Sequence, residues 1–300
     1  MPTYDHESLK PLLPHRGPNL IPDQVVLSDD LTSAESLTTI PANDARGRTV
    51  FARADGRWHE PFIAELLALT GVPLLASKLG GNVAVFSMIS RISMGLPPRI
   101  GDTIHGFAKI SRERGGFTTF TTHAVANGET ILEAEVMSGS AQLSEIQSFP
   151  ARPFHGQLPS QPLPSGCLDH KPSHLRFVDA VMHVEPEARK AVFTYSYPST
   201  HPFVPGHFPG GALMMGVTQW SAVADAAWAA AKLLGIHGSV VANGTVKRQD
   251  GGDVLDVREL MLEVDAGIPR ISATKRVAFR EPVRPTDGLL IEVTVAPAVL

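Results

Sequence analysis

The fold turns on one stretch, His201-Pro202-Phe203-Val204-Pro205-Gly206-His207-Phe208-Pro209-Gly210-Gly211-Ala212-Leu213-Met214-Met215-Gly216-Val217. Its first half sets prolines and glycines around a histidine, which makes a turn and neither a helix nor a strand interior. Its second half runs into an alanine-rich apolar segment, Ala212 to Leu234, closed by Gly235. That segment is apolar on nearly every face, as expected of a helix wrapped by a sheet. A second such helix is predicted upstream. Pro61 sits where a first-turn proline is tolerated, Phe62 to Lys78 follows, and Gly80-Gly81 ends it. Pro73 falls inside this run and should kink or split the helix. Around both, the pattern is strand-like. Phe117 to Ala126, the turn Asn127-Gly128 and Thr130 to Met137 read as a hairpin. One buried helix embraced by a curved antiparallel sheet, occurring twice, is the expected α+β arrangement.

The chain divides near its middle. Pro150, Pro153, Pro159, Pro162, Pro164 and Pro172 interrupt one stretch, so residues 148–173 are expected to be an extended linker between blocks 1–147 and 174–300. The blocks partly repeat each other. Leu20-Ile21-Pro22-Asp23 is matched by Arg176-Phe177-Val178-Asp179, 156 residues on, each followed by alternating apolar residues. Pro97-Pro98-Arg99-Ile100-Gly101-Asp102 is echoed by Pro282-Val283-Arg284-Pro285-Thr286-Asp287, 185 residues on, each before a strand-like stretch. The second block thus carries about 29 extra residues. Ser239 to Val264, with turn signals at Asn243-Gly244 and Gly251-Gly252, either replaces the hairpin strands or forms a lid or interface arm.

Composition narrows the function classes. The 300 residues are 43% hydrophobic and 19% charged with a formal net charge of −4, which suits a globular protein and gives nucleic acid nothing to hold. A single cysteine, Cys167, excludes an intrachain disulfide framework and a multi-thiolate metal site. Met1 to Leu20 lacks the apolar core of a signal peptide, and charges interrupt the apolar run Gly210 to Leu234, so no membrane span and a cytoplasmic location are expected. Among the twelve histidines the pair at i, i+4 spacing is His170 and His174, but Pro172 between them argues against a helical metal motif. With no glycine-rich phosphate loop evident either, neither a metal nor a nucleotide cofactor is expected.

The segment Gly206-His207-Phe208-Pro209-Gly210 closely resembles the active-site turn of the 3-hydroxyacyl-acyl-carrier-protein dehydratases of fatty-acid synthesis. In that family a glycine nine residues after the histidine opens the central helix, here Gly216. Leu12-Leu13-Pro14-His15-Arg16-Gly17-Pro18 looks like the family's N-terminal Pro-His-Arg stretch, and Pro282 to Pro285 its penultimate turn. The resemblance implies a double hot-dog fold and a lyase that converts 3-hydroxyacyl thioesters, on an acyl-carrier protein or CoA, to 2-enoyl thioesters. Fatty-acid or polyketide-type biosynthesis is the expected setting. The chemistry fits. Dehydration across C2–C3 needs a base for the C2 proton, an acid for the departing hydroxyl and a donor for the thioester oxygen. His207 suits the base role, and the Gly216 N–H at a helix start suits the oxyanion donor. Phe208, Pro209, Gly210 and Val217 are expected to line the substrate, the glycine allowing close approach. An acidic carrier would need a basic patch, for which Arg112, Arg114, Lys275 and Arg276 are candidates.

The acid is out of place. The family carries it 14 residues after the histidine, where this chain has Ser221. The offset of the first echo takes Ser221 to Glu65, inside the apolar run Phe62 to Ala68, and takes His207 to Phe51. Each block has then lost what the other kept, and a pseudo-dimer of the two blocks would unite His207 with Glu65 in one complete site; a monomeric pseudo-dimer or a homodimer is the expected state. A rival register aligns Glu60-Pro61-Phe62 with His201-Pro202-Phe203 and sends the acid position to Gly80. His59 and Glu60 are expected as capping or rim residues, and Glu65 is otherwise a structural partner of an arginine. The competing functions are a hot-dog thioesterase, which lacks the histidine turn, and a decayed acyl-thioester binding protein.

Overall fold

The computed structural model describes residues 1–265 and 267–298. They form two compact units, one of Met1–Phe149 with Pro202–Leu213, the other of Pro150–His201 with Met214–Leu300.

The first unit contains β1 (Thr3–Asp5), α1 (His6–Leu9), β2 (Gln24–Leu27), β3 (Ser33–Thr39), α2 (Pro61–Gly71), α3 (Ala76–Leu79), β4 (Val83–Met94), β5 (Thr103–Arg114), β6 (Phe117–Ala126), β7 (Glu129–Ala141) and α4 (Leu143–Ser148). Its strands pair antiparallel in the order β1-β2-β3-β5-β6-β7-β4. The helix α2 packs on β3, β5, β6 and β7, and every one of its residues is buried. Burial of Phe62, Ile63, Leu66, Leu67 and Leu69 contributes on the order of 10 kcal/mol before conformational entropy is counted, enough to carry one buried carboxyl group costing a few kcal/mol. As predicted from Pro73, the helical run is split. After α2 a 3₁₀ turn spans Val72–Leu75, then α3 ends at Gly80 in the left-handed region. By length and apolarity Pro61–Leu79 would suffice to cross a membrane, yet 72% of it is buried inside the fold. The β6–β7 hairpin turns through Asn127 and Gly128, both at positive φ, the geometry that favours this pair of residues.

The second unit contains β8 (Gln161–Pro162), β9 (Ala180–Glu185), β10 (Lys190–Ser196), α5 (Gly216–Leu233), β11 (Ser239–Arg248), β12 (Asp253–Glu263), β13 (Arg270–Phe279) and β14 (Gly288–Pro297). The strand order is β8-β9-β10-β14-β11-β12-β13, again antiparallel, with α5 laid on β10, β11, β12, β13 and β14. The proline-rich stretch is extended, but it packs into this unit. Its β8 pairs with β9, and Cys167, Leu168 and Lys171 are buried. The Lys171 ammonium pairs with Asp225 on α5, whose other oxygen accepts the Phe177 N–H at 2.8 Å.

The internal repeat is visible in hydrogen bonds. Asp23 donates its N–H to the Leu37 carbonyl (3.0 Å) and accepts the Thr39 N–H (2.7 Å); Asp179 does the same with Thr194 (2.8 Å) and Ser196 (2.7 Å). Asp102 closes a turn on Arg99 and Asp287 the same turn on Arg284, with N–H to carboxylate distances of 2.8 and 2.9 Å. The surplus of the second block has a topological cause. Two hairpin strands, β11 and β12, come before β14 in the chain, whereas their counterparts β6 and β7 follow β5. Ser239 to Val264 therefore fills the hairpin slots. Asn243-Gly244, read as a turn, instead lies within β11 where the register shifts, and the turn is at Gly251-Gly252.

Candidate active site

Gly206 fixes where the histidine turn goes. Within the first unit the Arg16 N–H donates to the Gly206 carbonyl at 2.9 Å, and a Cβ on Gly206 would stand 2.1 Å from the Arg16 carbonyl oxygen. Only glycine permits that approach, and it brings the Pro-His-Arg stretch against the turn. Asn19, fully buried, ties the same two segments by donating from Nδ2 to the Phe203 carbonyl at 2.7 Å. Phe203 meets Phe62 and Phe51, with ring centroids 5.2 and 5.5 Å apart, so Phe51, which the 156-residue offset sets against His207, is a packing residue.

The result is a buried cluster of His15, Glu65 and His207, each less than a tenth exposed. One ligand-type atom from each lies within 4.8 Å of the others. His207 Nδ1 is 3.1 Å from the Leu213 carbonyl. A carbonyl only accepts, so Nδ1 carries the proton and the Nε2 lone pair faces away from that bond. His15 Nε2 stands 3.5 Å from Glu65 Oε1, its ring 5.1 Å from that of His207 and edge-on to Phe208. Glu65 Oε2 and His15 Nδ1 are buried without a hydrogen-bond partner among the described residues. Orphaned polar atoms of this kind call for an occupant. Burial raises the Glu65 carboxyl to about 7, with His207 opposing. Burial lowers His207 to about 4, His15 adding to the effect, and lowers His15 to about 3, with Arg16 adding. The cluster thus holds a proton on the carboxyl side and neutral imidazoles beside it.

The other expected residues divide. Phe208 is buried against Val83, Ile146 and Leu213 as part of a small apolar cluster, whereas Pro209 and Gly210 are exposed. Gly216 and Val217 open α5 in the second unit. This helix starts later than Ala212, because the Leu213 N–H returns to the His207 carbonyl at 2.6 Å and so cannot continue a helical ladder. Ser221 on α5 is buried and its hydroxyl bonds back to the Val217 carbonyl at 2.8 Å. His59 and Glu60 are not rim residues; both are buried, and Glu60 pairs with Arg53. Burial works to raise the Glu60 carboxyl, but Arg53 and His59 outweigh it and hold it below the usual carboxylate range. Glu65 has histidines beside it in place of the alternative arginine. Lys275 and Arg276 are paired with Glu259 and Asp256. The residue the sequence reading missed is His15. Its signal was the Pro-His-Arg stretch itself, quoted as a resemblance but given no role.

Among the described residues, the three that could hold a metal ion together are the same His15, Glu65 and His207. No family model matches the chain. Among curated proteins it is similar to the 3-hydroxyacyl-(acyl-carrier-protein) dehydratase FabZ of Sinorhizobium fredii, 25% identical over 141 residues, which is 45% of this chain and 88% of the relative. The dehydratase FabZ of Actinobacillus succinogenes is 30% identical over 134 residues, 42% of this chain and 85% of the relative. Among solved structures, the dehydratase heterocomplex ApeI:P from Xenorhabdus doucetiae aligns with a TM-score of 0.40 and 15% identity, covering 46% of this chain and 93% of that one.

Proposed function

The chain belongs to the 3-hydroxyacyl-(acyl-carrier-protein) dehydratase family, and on that premise we propose that it removes water from 3-hydroxyacyl thioesters through His207 and Glu65. The observation that carries the reading is the pairing of these two side chains in one buried cluster, with Glu65 Oε2 unpartnered and His207 Nε2 left as acceptor. His207 Nε2 takes the C2 proton, the C2–H electron pair forms the C2–C3 double bond, and the C3–O bond breaks. Glu65 delivers a proton to the departing hydroxyl, which leaves as water. Burial against α2 excludes bulk water and strengthens each contact. The fold is a double hot-dog, two such units in one chain. The thioester is carried by an acyl-carrier protein or CoA, in fatty-acid or polyketide-type biosynthesis in the cytoplasm.

The test is to incubate the protein with a 3-hydroxyacyl thioester and with the 2-enoyl product, following interconversion by mass. Turnover by the wild type that is lost in His207→Ala and in Glu65→Gln supports the pair. Loss in His207→Ala alone discards Glu65 as the acid, release of free acid establishes a thioesterase, and no reaction with any chain length points to a binding role.

A further inference from the structure

We propose that His15, Glu65 and His207 form a binding site for a divalent transition metal of the zinc type, and that occupation by the metal switches the site off. The binding rests on geometry alone; the switching rests on the dehydratase reading. The contact between His15 Nε2 and Glu65 Oε1, 3.5 Å, is too long for a good hydrogen bond. It is close to the edge of a tetrahedral zinc shell, about 3.3 Å for bonds of about 2.0–2.1 Å. One ligand-type atom from each of the three residues lies within 4.8 Å of the others, so small side-chain adjustments close the shell. Two imidazoles and one carboxylate suit zinc and its neighbours, whereas calcium and magnesium ask for many oxygens, and one carboxylate is all the cluster offers.

The surroundings match a metal-ready histidine. The Nδ1–H of His207 is held by the Leu213 carbonyl, which aims Nε2 and fixes its tautomer as the supporting partner of a metal-bound imidazole does. A further observation calls for an occupant, the buried and unpartnered Glu65 Oε2. A metal here takes the Nε2 lone pair that would accept the C2 proton and the carboxylate that would deliver one, so metal and turnover exclude each other. His15 gives the site a third ligand that the proton transfers do not require.

The experiment uses the full-length protein stripped with EDTA. Zinc is titrated in competition with a chromophoric chelator, and cobalt is titrated while its visible absorption bands are recorded. One zinc per chain is expected, with cobalt bands typical of low coordination number. His15→Phe, Glu65→Gln and His207→Gln, each checked for folding by circular dichroism, should each weaken binding by about tenfold or more. Zinc should stop 3-hydroxyacyl turnover and EDTA restore it, while the turnover that His15→Phe retains should no longer respond to zinc. Absence of binding at millimolar zinc in an active protein overturns the metal site and leaves the dehydratase standing. Binding in a metal-free protein that turns over no 3-hydroxyacyl thioester keeps the site and removes its switching role. Turnover that requires the metal also overturns the switching role.

Discussion

The two units use the same chain-reversal devices and different helix chemistry. Asp23 and Asp179 make matching hydrogen bonds, as do Asp102 and Asp287. On the helices the correspondence ends. α2 carries Glu65 beside two histidines, whereas α5 carries Ser221 bonded to its own backbone and Asp225 bonded to Lys171. Even the strand order differs. In the first unit the strand beside β3 is the second after the helix, and in the other the strand beside β10 is the last. The scaffold is set by turns and apolar burial; the helices differ in the polar side chains they carry into it.

That contrast is open to being broken. The largest expected effect is on turnover. His207→Ala and Glu65→Gln should each lower kcat by about a hundred- to ten-thousandfold, measured with saturating 3-hydroxyacyl thioester, while Ser221→Ala should change it less than about twofold. A comparable loss in Ser221→Ala would show that a side chain of α5, and not of α2 alone, serves the reaction. Next in size is the buried ion pair of the second unit. Lys171→Met alone strands Asp225 and should cost about 3–5 kcal/mol of stability in urea unfolding. Lys171→Met with Asp225→Leu should recover much of that loss. Had the pair been catalytic, stability and turnover would fall together.

Gly206→Ala sharpens the comparison from the side of the first unit. The added methyl meets the Arg16 carbonyl, and overpacking of this kind should cost about 1–3 kcal/mol and displace His15 from Glu65. A variant with wild-type stability and turnover would show that the close approach is dispensable. The smallest effect is a pH dependence in the second unit. Burial lowers His201 to about 4, with the Leu175-flanking His174 carbonyl opposing through a 2.9 Å contact. The unfolded chain takes up its proton near 6.5, and the folded protein does so only near 4. Stability therefore falls as pH drops from about 6.5 to 4 and levels off below. The contribution is at most about 3 kcal/mol. His201→Gln should flatten that part of the curve of unfolding midpoint against pH; an unchanged slope would assign it elsewhere.

Much of the fold is legible in the sequence because it is written locally. Pro61, Pro73 and Gly80 bound and split the first helix, and Asn127-Gly128 marks the hairpin. Glu65 is legible as a charge amid apolar residues, the kind of exception that burial makes costly. The failures are non-local. Asn243-Gly244 is a turn pair by composition, yet pairing with both β12 and β14 overrides it. The role of His15 depends on a contact between segments nearly two hundred residues apart, made possible by one missing side chain at Gly206. The start of α5 at Gly216 depends on the His207 carbonyl capturing the Leu213 N–H. None of these has a periodic signature.

The paired aspartate turns also bear on how the two halves compare. Asp23 and Asp179 accept matching backbone N–H groups, and so do Asp102 and Asp287, although the helices beside them carry different polar side chains. A carboxylate that closes a turn on a neighbouring N–H is fixed by local geometry and is indifferent to what the adjoining helix does. The two halves of this chain are therefore best superposed on their turns, not on their helices.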